Sequence, residues 1–385
     1  MIAPGERLPS SGGPDALAPL REEVRAFVRE EDQTGGFIPR CDAWLVGYAP
    51  DFSRKLGDRG WLGMTWSERY GGHERSALER IAVVEELLVA GAPVAAHWIA
   101  DRQSGPQIFR HGTEPLKAEL LPLIARGECY FALGLSEPDS GSDLASVRTR
   151  AVRSAGGWRV SGQKLWSSGA HHAHYITVLC RTSGSPSDRQ SGLSLFVVDL
   201  HAPGVTVRPI HLLSGEHHFN EVLFEDVPVQ DHMLLGEEGS GWSLVTGELS
   251  LERSGPERYL STFLLLREYM RSLAHAPDLR AATDVGTLIA EIWTLHHMSS
   301  SIAAELDSGS DPVVTAAAFK DLGTRFERRL IETVRGLYPT EPSLGSADRL
   351  SVLLAEAVLA APGFTLRGGT NEILRSIVAR GLGVR

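Results

Sequence analysis

A change in the spacing of apolar residues along the chain is the feature that most constrains its fold. From about residue 20 to residue 127, apolar residues recur at three- and four-residue intervals, which is typical of helices. The segment SALERIAVVEELLVAG places four apolar side chains on one helical face: Ile81, Val84, Leu87 and Leu88. Glu85 and Glu86 are predicted to turn away from that face. The chain therefore begins with amphipathic helices.

The residue pattern changes between about residues 128 and 236. Short runs of β-branched and aromatic residues alternate there with Gly, Pro, Ser and Asp. The runs are GWRVSG, HYITVLCRT, LSLFVVDL, VTVRPI and NEVLFEDV. This pattern predicts a mainly antiparallel β unit.

Helical spacing returns from about residue 240. Residues 241–273 predict a long helix with a kink at Gly255 and Pro256. Four further helices are predicted, over residues 283–307, 312–336, 347–361 and 371–382. There is no alternation of strands and helices and no G-x-G-x-x-G after a strand, which disfavours a Rossmann domain.

The predicted fold class is α+β, with an N-terminal helical domain, a middle antiparallel β domain and a C-terminal domain resembling a four-helix bundle. The expected limits are a loose arm over 1–18 and domains over 19–127, 128–236 and 237–385.

The net charge of −10 argues against nucleic acid or an anionic membrane as a partner, because both are polyanions. The chain has three cysteines, too few for a disulfide framework and without metal-ligand spacing. The N-terminal stretch lacks the basic start and apolar core of a signal peptide, and no apolar run approaches the ~20 residues of a membrane span. We expect a cytoplasmic protein that does not enter a membrane.

Three ordered motifs carry a resemblance to a known family. Residues 136–143, SEPDSGSD, are similar to the acyl-CoA dehydrogenase signature Thr/Ser-Glu-Pro-x-x-Gly-Ser-Asp. SGQKLWSSGAHHAHYI, residues 161–176, resembles the Gly-x-Lys-x-Trp strand of that family. GGTNEILRSIVARGLG, residues 368–383, resembles its C-terminal helix. The resemblance covers nearly the whole chain.

The resemblance implies bound FAD and a set of residues that contact it. The residues it assigns to FAD are Leu133, Leu135, Ser136, Gly141, Ser142, Trp166, Ser167, Ser168, Thr370 and Glu372. Trp166 would flank the isoalloxazine ring, and Ser168 would offer its hydroxyl near flavin N5. It assigns Ser142, Arg253 and Gly369 to the substrate. For Arg253, contact with the CoA portion and a surface ion pair are the two alternatives.

Dehydrogenation of a thioester requires a base, and the base is expected to be a carboxylate in a water-poor pocket. Many family members carry a Glu where this chain has Gly368, which cannot act as a base. Other branches carry it in Leu-Glu-Arg on the long helix that opens the C-terminal bundle, and this chain has Glu252 there. The resemblance therefore assigns the catalytic base to Glu252. The alternative is that Glu252 is a solvated helix carboxylate like Glu248 and Glu257.

Two segments depart from the family pattern. The chain lacks the usual Arg-x-x-Phe-Gly segment, and GLYPTEPSLG replaces the usual Gly-Gly-x-Gly-Tyr loop. Both belong to FAD contacts between subunits in relatives, so the adenosine end of FAD and the oligomer are left open.

Histidines cluster at residues 171–174, where a strand would place His172 and His174 on one face. His217 and His218 are predicted to lie in a turn. We expect no metal at either place.

The function implied is FAD-dependent α,β-dehydrogenation of an acyl thioester, with Glu252 as base and flavin N5 as hydride acceptor. The alternatives are a FAD-binding subunit of a heteromeric acyl-CoA dehydrogenase, or a dehydrogenase or oxidase acting on a carrier-protein thioester. An electron-transferring flavoprotein is the expected acceptor, and a homodimer or homotetramer the expected assembly. Trp98 and residues 101–103 are placed either near the acyl tail or at the surface, so the acyl group stays open.

Overall fold

The computed structural model describes residues 16–273 and 278–384, without the side chains of Ser250 and Leu251. Residues 1–15 of the expected loose arm lie outside the described residues. The helices are α1 Ala18–Gln33, α2 Ala43–Val46, α3 Pro50–Asp58, α4 Ala77–Val89, α5 Ala95–Ile99, α6 Gly105–His111, α7 Glu114–Ala125, α8 Gly241–Arg253, α9 Glu257–Leu260, α10 Phe263–Leu273, α11 Leu279–Asp307, α12 Val313–Leu337, α13 Arg349–Phe364 and α14 Asn371–Gly381. The strands are β1 Phe131–Gly134, β2 Arg150–Ser154, β3 Gly157–Ser168, β4 Tyr175–Arg181, β5 Leu193–Asp199, β6 Val205–His211, β7 His217–Gln230 and β8 Leu234–Leu235. The predicted order of helices, β unit and helices is confirmed.

Local signals in the sequence explain several helix ends. A capping box begins α4, because the Ser76 hydroxyl accepts from the Glu79 amide and the Glu79 carboxylate accepts from the Ser76 amide. The Thr370 hydroxyl caps α14 in the same way, by accepting from the amide of Ile373. The predicted kink at Gly255 and Pro256 is a full break between α8 and α9.

The middle unit is one mainly antiparallel sheet with the strand order β6-β7-β3-β2-β4-β5-β8 across the described residues, and β1 pairs parallel with β4. Its core contains Trp158 and Phe196, whose rings meet edge to face. The register of β3 on β7 shifts between Lys164 and Ser167. That bulge turns the strand where the second motif lies.

The two helical parts share one core rather than forming separate ones. Phe27 on α1, Leu87 on α4 and Leu265 on α10 belong to the same buried cluster as Phe319 on α12 and Leu353 on α13. The middle sheet is thus attached to a single helical body built from both ends of the chain.

Glu85 and Glu86 differ from the prediction that they turn away from the packed face. Both are buried, with 5% and 8% of their surface exposed. Arg21 of α1 lies 2.5 Å from Glu85, and Arg25 lies 2.8 Å from Glu86. His296 of α11 also contacts Glu85, at 2.7 Å. Burial is tolerated because each charge is paired with a cation on a neighbouring helix.

Within the described residues, no helix combines the length and apolar character needed to cross a membrane.

Candidate active site

The turn formed by residues 136–143 follows β1 and is held by a buried carboxylate. Glu137 accepts hydrogen bonds from the backbone amides of Arg148 and Thr149, at 2.7 and 3.0 Å. Its carboxylate also lies 2.7 Å from the ammonium group of Lys164, which is completely buried. Burial alone would raise the pKa of Glu137, but the charge and hydrogen bond of Lys164 outweigh burial and lower it. The first two motifs are therefore joined by an ion pair.

Trp166 and its neighbours lie beside this turn. The amide of Leu165 donates to the carbonyl of Ser136 at 2.9 Å. Trp166 has a left-handed backbone with φ of 63°, and 55% of its surface is exposed. Such a backbone in a large residue stores strain, which is common where a side chain must face a ligand. The backbone contact between Leu165 and Ser136 therefore joins the first motif to the strand that carries Trp166.

The remaining residues assigned to FAD in this region differ in exposure. Ser167 is completely buried, and its hydroxyl has no hydrogen-bond partner among the described residues. Gly141 and Ser142 are exposed, and a Cβ at Gly141 would meet no atom within 4 Å. The partly buried members are Leu133, Leu135 and Ser168. The residues assigned to FAD in this region are therefore exposed or partly buried, apart from Ser167.

Glu252 lies in the last turn of α8 and faces a buried arginine. The guanidinium of Arg258 contacts the Glu252 carboxylate at 2.9 Å and also donates to the Glu252 carbonyl. Only 14% of the Glu252 side chain is exposed. The reading of Glu252 as a solvated surface carboxylate is therefore wrong.

Glu248 and Glu257 are not solvated either. Each has 3% of its surface exposed. Glu257 lies 3.5 Å from Arg102 and 3.6 Å from Arg258. Glu248 precedes Glu252 by one helical turn, and its Oε1 has no hydrogen-bond partner in the described part of the chain. Burial, and then the charge of Glu252, raise the pKa of Glu248 well above its usual range.

Gly368 is the second position at which relatives carry a base, and it lies against Glu252. A Cβ at Gly368 would come within 2.7 Å of Glu252 Oε1, and the backbone there is left-handed with φ of 64°. The same Cβ would lie 3.1 Å from Lys320 Cε and 3.2 Å from Arg258 Nη2. The two alternative base positions, far apart in sequence, therefore converge on one place.

Two basic side chains hold the turn that contains Gly368. Arg253 donates to the carbonyl of Gly368 at 3.1 Å, and Lys320 donates to the carbonyl of Gly369 at 2.8 Å. Arg253 is buried, so the alternative of a surface ion pair is wrong. Burial, followed by the charge of Arg258, lowers the pKa of Lys320 to about 6. Sequence reasoning missed Lys320, because nothing in the α12 pattern distinguishes it from a surface lysine.

Thr370 and Glu372 lie just beyond that turn. Thr370 caps α14, and Glu372 is exposed in its first turn. In the regions that the structure describes, no hydrogen bond or ion pair connects the residues assigned from the β unit with Glu252, Arg253 and residues 368–372.

The histidines are arranged differently from the prediction. His171 and His172 lie in a turn before β4, and His217 and His218 begin β7. The rings of His171 and His217 stack at 3.8 Å. Over residues 16–273 and 278–384, no three His, Cys, Asp or Glu side chains are arranged to hold a metal ion.

Trp98 and residues 101–103 are buried, not at the surface. They lie on or next to a π-helical turn, Ala100–Ser104, between α5 and α6. Such turns often occur at functional sites.

Comparison with known proteins identifies the family to which the chain is similar. The N-terminal domain of acyl-CoA dehydrogenases matches residues 15–128, and the middle domain of the same family matches residues 132–227. The acyl-CoA dehydrogenase FadE29 of Mycobacterium tuberculosis is 35% identical over 340 residues, covering 85% of this chain and 86% of FadE29. FadE26 of the same organism is 31% identical over 383 residues, covering 94% of this chain and 91% of FadE26.

Two solved structures have the same architecture. The Tcur3481-Tcur3483 steroid ACAD has a TM-score of 0.82 at 28% identity, covering 97% of this chain and 98% of that one. The ChsE4-ChsE5 complex from Mycobacterium tuberculosis has a TM-score of 0.80 at 28% identity, covering 100% of both chains.

Fold, site and relatives together define a flavin-dependent oxidoreductase that acts on a CH–CH bond. The chain belongs to the acyl-CoA dehydrogenase family. Its cofactor is FAD, as in the rest of the family. The residues present fit this cofactor, since Trp166 offers an exposed ring and the hydroxyl of the next residue, Ser167, has no hydrogen-bond partner among the described residues. Gly141 and Ser142 are small and exposed, and turns of this kind can offer backbone amides to a phosphate.

Proposed function

We propose that this acyl-CoA dehydrogenase uses the Glu252 carboxylate to remove the α-proton of an acyl-CoA, giving the trans-2-enoyl-CoA. FAD, when bound, supplies the acceptor for the hydride from the β-carbon. The observation that carries the proposal is the contact between Glu252 and Gly368, because a Cβ at residue 368 would lie 2.7 Å from the Glu252 carboxylate. A carboxylate on residue 252 and a carboxylate on residue 368 would therefore occupy the same region of the site, and in this chain Glu252 supplies it.

Neighbouring residues support Glu252 in this role. Arg258 fixes the carboxylate at 2.9 Å and restricts its rotamers. Arg253 and Lys320 hold the carbonyls of Gly368 and Gly369, so the turn facing the base is fixed from two sides. A base must be held in reach of the proton it removes, and a loosely held one loses much of its effect.

The test is Glu252→Gln, which keeps the volume of the side chain but cannot accept the proton. We expect this variant to keep FAD, to bind acyl-CoA, and to lose the rate of anaerobic flavin bleaching by ~10²–10⁴ or more. Glu237→Gln is the control, since Glu237 is an exposed carboxylate just before α8. If Glu252→Gln bleaches as fast as the parent, the base is another residue.

For the acyl group, we propose a bulky, oxygenated chain. The support is the set of buried polar residues at 101–103 beside α8 and a similar structure that is itself called a steroid ACAD. A panel of straight-chain and steroid-derived acyl-CoA thioesters, assayed with an artificial acceptor, tests this assignment. Faster turnover of every straight-chain thioester would contradict it. An electron-transferring flavoprotein is the proposed natural acceptor.

A second candidate function is a subunit of a heteromeric dehydrogenase. Two observations favour it: the two similar structures are named for pairs of components, and the chain lacks the usual segments for FAD contacts between subunits. Purification of the chain alone decides between the candidates. A yellow homodimer or homotetramer that bleaches with acyl-CoA would exclude dependence on a second chain.

A further inference from the structure

Asn220 on β7 carries a buried amide that joins the second motif to the histidines. The residue is completely buried, and it pairs with Ser167 across β3 and β7. Its side-chain nitrogen, Nδ2, lies 3.0 Å from the carbonyl oxygen of Ser167 and 3.4 Å from that of His218. The same nitrogen lies 3.0 Å from Nδ1 of His171, and the amide oxygen, Oδ1, lies 2.7 Å from Nε2 of His217. One side chain therefore contacts the strand of the second motif and two histidines.

The two backbone carbonyls fix the orientation of this amide, because a carbonyl oxygen can only accept a hydrogen bond. The amide nitrogen must therefore face Ser167 and His218. An amide nitrogen donates and does not accept, so Nδ1 of His171 is the ring nitrogen without a hydrogen. The amide oxygen accepts, so Nε2 of His217 carries a hydrogen. Burial, followed by the charges of His172 and His217, lowers the pKa of His171 to about 4, which agrees with a neutral ring.

The two histidines belong to a stack of rings that connects the helical body to the sheet. Tyr48, between α2 and α3, stacks on His172 with the ring centres 4.0 Å apart. The ring centres of His172 and His171 are 3.9 Å apart, and those of His171 and His217 are 3.8 Å apart. Stacked rings restrict one another's rotation, so the ring nitrogens that face Asn220 are held in place.

The segment that this amide contacts is the bulge of β3. The register of β3 on β7 shifts between Lys164 and Ser167, so Trp166 lies in the bulge and Asn220 pairs directly beyond it. Trp166 has a left-handed backbone with φ of 63°, a conformation that a large residue keeps only where its surroundings enforce it. The hydrogen bond from Asn220 to the Ser167 carbonyl fixes the residue that follows Trp166.

Ser168 is anchored on its other side by the same strand. The backbone amide of Gly169 donates to the carbonyl of His218 at 2.9 Å. Contacts from β7 therefore hold the residues on both sides of Ser168, and one of them comes from the side chain of Asn220.

We propose that Asn220, oriented by His171 and His217, is a positioning residue that holds residues 166–168 in the conformation that takes the flavin. The inference does not involve Glu252 and goes beyond the proposed function. It takes from the family resemblance only the assignment of residues 166–168 to FAD. Without the amide, the Ser167 carbonyl and Nδ1 of His171 lose the donor that they share, so the bulge should lose its fixed geometry.

The positioning is tested without the cofactor, by fluorine NMR of the full chain labelled with fluorotryptophan. The Trp166 signal is the one that disappears in Trp166→Phe. We expect this signal to shift in Asn220→Asp, which keeps the shape of the side chain but has no N–H at neutral pH, and in His171→Leu. His171→Leu alone decides the test if Asn220→Asp does not fold.

His174→Leu is the matched control, since Nδ1 of His174 also accepts an amide hydrogen, at 3.0 Å from the backbone nitrogen of Tyr130. It should leave the Trp166 signal in place. A Trp166 signal that stays in place in His171→Leu, or that shifts equally in His171→Leu and His174→Leu, would overturn the inference.

The consequence for the cofactor is measured by fluorescence titration of the same apoproteins with FAD. We expect Asn220→Asp and His171→Leu to raise the Kd by about tenfold or more, the usual effect of losing one buried hydrogen bond. His174→Leu should bind FAD as the parent does. In FAD enriched with nitrogen-15 at N5, the N5 signal should shift in His171→Leu and not in His174→Leu, whereas a merely structural role would lower the melting temperature and leave that signal in place.

An unchanged Kd together with an unchanged N5 signal in His171→Leu would contradict the role of Asn220 toward the flavin. Unimpaired flavin bleaching by Glu252→Gln would instead contradict the proposed function and would leave these results as they are. If the chain by itself takes up no FAD, the Trp166 signal still decides whether Asn220 positions the bulge.

Discussion

Two buried clusters of charge in this molecule differ in how completely their members are paired. In the β unit, Lys164 and Glu137 form an ion pair, and two backbone amides also donate hydrogen bonds to the Glu137 carboxylate. In the C-terminal helices, Glu252 has one arginine, while Glu248 one turn away has an oxygen, Oε1, without a hydrogen-bond partner in the described part of the chain. The first cluster holds a turn in place. The second retains unsatisfied polar groups, as sites that act on ligands commonly do.

The largest expected effect on stability comes from breaking the paired cluster. Lys164→Met leaves the Glu137 carboxylate buried without its cation, and we expect the free energy of unfolding to fall by about 3–5 kcal/mol. Chemical denaturation measures this change. Arg189→Ala is the control. Arg189 lies 2.6 Å from Asp143, which belongs to the same turn as Glu137, but both side chains of this pair are more than half exposed. Equal destabilisation by the two substitutions would contradict the distinction drawn between buried and exposed pairs.

In the incompletely paired cluster, the largest effect is expected on catalysis. Gly368→Ala places a methyl group where the Glu252 carboxylate lies, so the carboxylate must move. Displacement of a reacting group by ~1 Å can cost about 10²-fold in rate. We expect a loss of that order in flavin bleaching.

A matched substitution separates displacement from backbone strain. Gly215 is also left-handed, with φ of 82°, and its Cβ would meet nothing within 4 Å. Gly215→Ala should cost some stability and leave the rate near that of the parent. If both variants lose the rate equally, the contact with Glu252 is not the cause.

Replacing Glu248 should change the free energy of unfolding in the opposite direction from replacing Lys164. Glu248→Leu removes a buried oxygen that has no hydrogen-bond partner among the described residues, so we expect the free energy of unfolding to rise by about 1–3 kcal/mol. Glu257→Leu is the contrast, because Glu257 is equally buried but lies near Arg102 and Arg258, and its loss should destabilise. A drop in stability for Glu248→Leu would show that Glu248 has a partner in the folded protein.

Lys320 predicts a dependence of stability on pH. Its pKa in the folded protein is about 6, below the ordinary lysine value of 10.5. Between these values the unfolded chain binds the extra proton, so this residue makes stability rise with pH. The free energy of unfolding therefore falls as the pH is lowered from the ordinary lysine value toward about 6. Lys320→Met should flatten the rise of the melting temperature over this window. An identical pH profile in parent and variant would contradict the lowered pKa.

The smallest effect is expected at Trp166. Its ring touches only Phe219 among the aromatic contacts in the described residues, and more than half of it is exposed. Trp166→Ala should leave folding nearly unchanged and weaken FAD retention by about 0.5–1.5 kcal/mol, the usual value of an aromatic stacking contact. Fluorescence titration of the apoprotein with FAD measures it. Unaltered affinity would remove Trp166 from the cofactor site.

Elements whose pattern is local were predictable from the sequence. The predicted kink at Gly255 and Pro256, which is a full break in the structure, and the helix ends predicted at 307, 336 and 382 depend on neighbouring residues. The structure has those ends within one residue of the prediction. The failures concern side chains rather than elements. Glu85 was predicted to turn away and is buried, because Arg21 and His296 reach it from other helices.

The sequence by itself determined the order of the helical and β parts, and through its motifs it determined the family. Only the tertiary structure brought Gly368 against Glu252, placed Lys320 beside both, and buried Glu248 with its Oε1 lacking a hydrogen-bond partner among the described residues. The reason is physical: periodicity states which face of a helix is apolar, but it does not state which distant helix meets the charged face. The pairing of buried charges depends on contacts between residues separated by many turns of chain, and those form only when the shared helical core closes.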